Sequence, residues 1–109
     1  MIVLVNVTDD DQVGGGWGRA PRVAVAEVTD GAVTSWTVHD VAWDVLHGDG
    51  CHGSHHERIE TFVREHGADV VVTGHMGPPM QQRLARLGVR LVLDATGDAR
   101  AAAVAAASA

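Results

Sequence analysis

Residues 2–7 read Ile-Val-Leu-Val-Asn-Val. The run is too short for a helix, rich in β-branched residues and apolar on both alternating faces. A strand of this kind has to be covered on both sides, so it belongs in the middle of a sheet with layers packed on each face. Residues 69–73 and 89–93 repeat the pattern, and helical periodicity separates them. Strands joined through helices run parallel and cross over right-handed.

The segments between follow from local chemistry. Residues 14–18, Gly-Gly-Gly-Trp-Gly, read as a flexible loop, and residues 22–28 as a second strand. Asp30-Gly31 is a hairpin turn signal, so residues 33–39 form a third strand antiparallel to the second. Its polarity suits a sheet edge, with Thr34, Trp36 and Val38 on one face and Val33, Ser35, Thr37 and His39 on the other. Residues 40–53 lack a period and read as a long loop. Ser54 and Glu57 make an S-x-x-E capping box that starts a helix, with Ile59, Phe62, Val63 and His66 as its core stripe and Gly67 as its left-handed C-cap. His66, near the helix end, sits where a cationic imidazole is favoured. Residues 74–77 make a tight turn. Pro78 opens a helix with Met80, Leu84 and Leu87 as its stripe, and Asp98 opens a last, Ala-rich helix.

The order β-β-β-α-β-α-β-α, in a single domain over residues 1–109, is satisfied by one architecture. It is an α/β, ribonuclease-H-like three-layer fold with a five-stranded mixed sheet of order 3-2-1-4-5, strand 2 antiparallel to the rest, and about three helices. Strands 1, 3 and 4 then point the same way. The loop 8–19, the loop 40–54 and the turn 74–77 emerge at one end of the sheet, beside the point where the connection order reverses. Open α/β sheets place ligands there.

The bulk composition narrows the function. The chain is 46% hydrophobic and 20% charged, enough apolar residue for a packed core. Net charge is −6, and the eight basic residues, all Arg, are scattered, so nucleic acid is not an expected partner. No segment approaches the roughly 18 apolar residues that span a bilayer, and the first residues carry no basic leader. A cytoplasmic location with no membrane partner is expected. One cysteine excludes an internal disulfide and an iron–sulfur cluster held by four cysteines of one chain. A nuclease of the same fold needs clustered carboxylates on strands 1 and 4, where Asn6 and Thr73 stand instead.

Histidine is concentrated in residues 47–56, His-Gly-Asp-Gly-Cys-His-Gly-Ser-His-His, which hold four of seven histidines and the cysteine. Imidazole and thiolate suit zinc, copper, iron and nickel. The candidate metal ligands are His47, Cys51, His52, His55 and His56, with His75 facing them. The spacing matches no standard zinc motif, and a solvated loop is the alternative. Cys51 and His55, or His52 and His56, share a helical face only if the helix starts before Ser54. The glycines at 14–18 can cradle an anion with backbone amides, with Arg19 as a cationic contact, unless Arg19 pairs with Asp9, Asp10 or Asp11. Those carboxylates favour a cation over a highly anionic ligand. Trp17, Trp36 and Trp43 are candidates to shield the crevice, with packing the stronger alternative for Trp36. Met76 and Met80 are soft thioethers, expected to fill core gaps.

Three segments also resemble a known family. Residues 16–28, Gly-Trp-Gly-Arg-Ala-Pro-Arg-Val-Ala-Val-Ala-Glu-Val, look like the "FGRAP-x-F-x-I-x-x-V" segment of the dinitrogenase iron–molybdenum cofactor biosynthesis proteins, of the NifX and NafY type. Residues 67–77 look like that family's "G-x-D-x-V-I-x-G-x-x-G", and residues 84–91 like the helix and "G-I-x-V" strand that follow. Trp17 stands where Phe is usual, and residues 47–56 are richer in histidine than the common pattern. The resemblance implies the ribonuclease-H-like fold and a metal ion or metal–sulfur cluster as cofactor, either an iron–molybdenum cofactor precursor or, as in the orange-protein branch, a molybdenum–copper sulfide. It implies a carrier or sensor and not an enzyme, with Gly16, Trp17, Gly18, Arg19, Gly74 and Gly77 as cofactor-binding positions. The partner would be a metallocluster donor or acceptor protein, and the chain a monomer or homodimer. A mononuclear copper or zinc site, a regulatory protein-binding module and a metal-dependent hydrolase remain the alternatives.

Overall fold

The computed structural model describes residues 1–46 and 52–108, with residues 52–54 described by their backbone. Strands β1 (Ile2–Asn6), β2 (Arg22–Thr29), β3 (Ala32–Asp40), β4 (Val70–Val72) and β5 (Arg90–Val92) form one sheet of order β3-β2-β1-β4-β5. Pairing is antiparallel between β1 and β2 and between β2 and β3. It is parallel between β1 and β4 and between β4 and β5. The expected strand order and directions are therefore present.

The central strands are covered on both faces. Leu4, Val23 and Val71 pack with Ile59, Val63 and Leu84 on one side. Val3, Val5, Ala26, Val70 and Val72 pack with Ala99, Ala103 and Ala106 on the other. The helices are α1 (Trp43–Leu46), α2 (His52–Glu65), α3 (Pro78–Arg86) and α4 (Ala99–Ser108). Asp98 caps α4, its Oδ2 accepting the Ala101 amide at 2.9 Å. At the hairpin, Asp30 and Gly31 both have positive φ, 52° and 77°, as a primed turn requires.

Several local expectations are revised. There are four α-helices among the described residues, because α1 interrupts what reads as loop. No periodicity announces it. Backbone bonds from Val41 and Ala42 to Pro21 O and from Trp43 to Ala20 O set its position. Helix α2 starts at His52, two residues before the expected start. Ser54 is therefore inside the helix and cannot be its N-cap, a position that needs non-helical backbone. On β3 the register shifts at Glu27/Val28, so Thr34 is an extra residue and Val33 joins Trp36 on the α4 face. Arg100 lies over the Trp36 ring, 4.8 Å from its centre. In α3, Met80 and Leu84 are buried, but Leu87, at the helix end, is exposed.

His66 holds a proton less readily than a helix-end imidazole is expected to. Its ring lies 4.4 Å from Phe62 and 4.9 Å from His39, centre to centre. Burial first, and His39 second, lower its proton affinity from the ordinary 6.5, while Glu65 opposes them. The unfolded chain then binds the proton more readily than the folded one. The stability His66 confers is complete above about pH 6.5 and is lost as pH falls through the lower folded value. Melting temperature is expected to decline below pH 6.5, and His66→Gln to flatten that decline. Equal slopes in the two proteins would remove His66 as its cause.

Candidate functional site

Residues 14–16 run alongside the turn after β4 and are fastened to it by main chain. The Gly74 amide donates to Gly14 O at 3.1 Å, the His75 amide to Gly15 O at 3.0 Å, and the Trp17 amide to His75 O at 2.8 Å. Thr73 Oγ1 donates to Gly15 O at 3.1 Å. The segment read as a flexible loop is thus an added rung beside the sheet. A side chain at Gly74 has no room, since a Cβ there would lie 2.8 Å from Gly14 O. Gly74 does not line the pocket described next. It is the backbone contact that sets the pocket's wall.

A pocket of about 510 Å³ opens between this wall and the amino ends of α2 and α3. Gly16, Trp17, Gly18 and Arg19 line it from the wall, His55, His56 and Ile59 from α2, and His75 to Gly77, Pro79 and Met80 from the turn and α3. The loop after β1, His55 and His56 of the His-rich segment and the turn after β4 therefore meet as the strand order requires. His47 and Cys51 lie outside the described residues. Helix α2 starts early enough to put His52 and His56 one turn apart on its backbone.

Each described residue has a distinct place. His55, 4% exposed, has its Nδ1 2.8 Å from Arg58 Nη1 and its Nε2 2.7 Å from Gly18 O. A guanidinium can only donate, so Nδ1 accepts and Nε2–H donates. Both ring nitrogens are engaged within the protein, and the imidazole pins the amino end of α2 to the wall. His56 is half-buried in the lining, and His75 is exposed at the rim. Gly77 is the N-cap of α3 and brings no side-chain cap bond, and no hydrogen bond links the His75 ring to that helix among the described residues. Met76 and Met80 are buried in both core and lining. Among the described residues no three His, Cys, Asp or Glu side chains gather as a metal-ion site requires.

The electrostatics remove one alternative. Arg19 does not pair with the acidic run. Asp9 and Asp40 both bond Arg22, with Asp40 Oδ1 3.0 Å from Nε, and raise the proton affinity of its guanidinium. Arg19 forms no ion pair among the described residues. No carboxylate lines the pocket among them either. The positive ends of two helix dipoles also border it. Trp17 is fully buried in the wall, packed edge-on against Trp43 at 5.2 Å, and its indole N–H meets no acceptor among the described residues. Trp43 belongs to the core behind the wall and Trp36 to the opposite face of the sheet, so Trp17 is the tryptophan at the pocket. Sequence alone suggested shielding for Trp17 and gave no sign of an unpaired donor.

No curated protein sequence matches this chain. Solved structures share its fold, among them the two that follow. The crystal structure of PH0822 matches with a TM-score of 0.76 at 22% identity, covering 97% of this chain and 90% of that one. The apo form of the orange protein from Desulfovibrio gigas matches with a TM-score of 0.72 at 22% identity, covering 91% and 80%. At that identity the likeness concerns the fold. The sequence itself goes further: the family pattern described as dinitrogenase iron–molybdenum cofactor matches residues 1–109, and this chain belongs to that family.

Proposed function

We propose that the chain is a non-catalytic, cytoplasmic carrier of an anionic metal–sulfide cluster, seated in the pocket between the glycine wall and helices α2 and α3. The family supports a role connected with the iron–molybdenum cofactor. The observation that carries the finer reading is the lining itself. It combines an Arg19 guanidinium with no ion pair among the described residues, two helix amino ends and no described carboxylate, and it includes Trp17, whose buried N–H has no acceptor among the described residues. Cluster sulfides are acceptors and carry negative charge, so they match these donors. The thioethers of Met76 and Met80 offer soft, polarisable contacts to the same guest.

The test is elemental analysis and visible absorption of the protein as isolated, followed by titration with tetrathiomolybdate, alone and with copper(I). Near-stoichiometric molybdenum, iron or copper, or saturable binding with a shifted absorption band, is expected. Arg19→Gln should weaken that binding about 10- to 100-fold, the worth of a charged hydrogen bond. Absence of all these elements together with no spectral response would end the proposal.

One observation favours a second reading. The early start of α2 gives His52 and His56 the one-turn spacing of a chelating pair. A mononuclear zinc or copper ion would then be held by those two with His47, Cys51 or His75. Under that reading zinc or copper is retained and lost on replacing His52 and His56 by Ala, whereas Arg19→Gln leaves it in place.

A further inference from the structure

A second pocket, of about 340 Å³, shares Gly16 and Arg19 with the first and is otherwise lined by different residues. It lies at the carboxyl end of β1. Asn6, 2% exposed, is the buried polar side chain of its lining. The Asn6 amide is oriented by its neighbour: Nδ2 faces Gly15 O at 3.5 Å, and the flipped amide would set two acceptors against each other. That orientation leaves Oδ1 buried with no donor among the described residues. A buried acceptor left without a donor costs about 1–3 kcal/mol, so it marks a place where a donor belongs.

The charges around the pocket have opposite signs. Arg19 supplies a guanidinium with no ion pair among the described residues. Asp9 supplies a carboxylate that bonds Arg22, and Asp10 and Asp11, which follow it, form no ion pair among the described residues. A simple anion would be repelled by the acidic run, and a simple cation by Arg19. From this we infer that the pocket is a site for a small zwitterion of the α-amino-acid type. Its carboxylate meets Arg19, and its ammonium meets Asn6 Oδ1 and the Asp9 side. The volume is at the small end of ligand pockets, which suits such a molecule. Gly14 belongs to the same construction, since a Cβ there would lie 2.9 Å from Asn6 Nδ2.

Because Arg19 borders both pockets, one guanidinium serves two guests. A zwitterion that engages it withdraws it from the first pocket, so the two ligands weaken each other, and by the same factor in both directions. This coupling rests on the cluster-carrier reading. The zwitterion site itself does not.

The test is thermal melting of the full chain with each common L-α-amino acid at about 10 mM, with acetate and ethylamine as half-ligand controls. At least one amino acid should raise the melting temperature by about 5 °C at a concentration tenfold above its Kd. The two controls should not. Arg19→Gln, at an exposed position, and Asn6→Leu, which replaces the unpaired amide with an apolar group of similar size, should each weaken binding at least tenfold. If Asn6→Leu does not fold, Arg19→Gln decides alone. No shift with any amino acid, an equal shift with acetate, or a shift unchanged in Arg19→Gln would overturn the site. In a second arm, the amino acid that binds should weaken tetrathiomolybdate binding at least threefold. Tetrathiomolybdate binding that is unaltered would overturn the coupling. Amino-acid binding by a protein that takes up no thiomolybdate would leave this site standing and remove the carrier reading.

Discussion

Gly74→Ala is expected to melt about 10–20 °C below the parent protein, a large loss for one added methyl group. The added methyl would meet Gly14 O at 2.8 Å, Gly15 O at 3.2 Å and Gly15 Cα at 3.3 Å, all main-chain atoms. None of these is the end of a flexible side chain that can swing aside. Relief therefore requires the wall to move from the turn, which strains or breaks the Gly74–Gly14 and His75–Gly15 bonds. Overpacking and a lost buried hydrogen bond together cost about 2–4 kcal/mol, and a domain of this size shifts by roughly 4–8 °C per kcal/mol. Urea denaturation gives the free energy directly. A loss below 0.5 kcal/mol would mean that the wall yields without cost and is no fixed element.

The second large effect is at Trp17, where two substitutions separate two duties. Trp17→Ala removes a fully buried indole packed on Trp43 and should destabilise the protein by about 3–5 kcal/mol. Trp17→Phe keeps most of the packing and deletes an N–H that has no acceptor among the described residues. It should cost less than about 1.5 kcal/mol, as shape-preserving apolar exchanges do, while weakening tetrathiomolybdate binding several-fold. Chemical denaturation and the titration, run on both variants, check the two claims separately. If Trp17→Phe binds thiomolybdate as the parent does, the indole N–H is not part of the site.

These effects explain which parts of the molecule could be read in the sequence. Strand order was legible because apolar runs, a hairpin signal and the handedness of crossovers leave few alternatives. That order also brought the loop after β1, the His-rich segment and the turn after β4 to one edge. Features set by tertiary partners were not legible. Helix α1 depends on the carbonyls of Ala20 and Pro21. The face taken by Val33 depends on a register shift that one strand cannot reveal alone. His66 has the sequence position of a helix-end cation, but burial, and after it His39 arriving from β3, weaken its hold on the proton. His55 reads as a ligand until Arg58 and Gly18 are seen on its two nitrogens. Asp9 reads as a partner for Arg19 until Arg22 is found to hold it.

The wall of the first pocket is joined to the turn by bonds between peptide groups of residues 14–17 and 74–75. Peptide groups are the same whatever side chains they bear, apart from the close approach that reserves Gly74. Arg19 and His75 can therefore be exchanged without redrawing the frame that displays them. The fold acts as a socket of fixed outline with replaceable fittings. Adaptation to a different guest then calls for point changes at the lining and no reorganisation of the sheet beneath it.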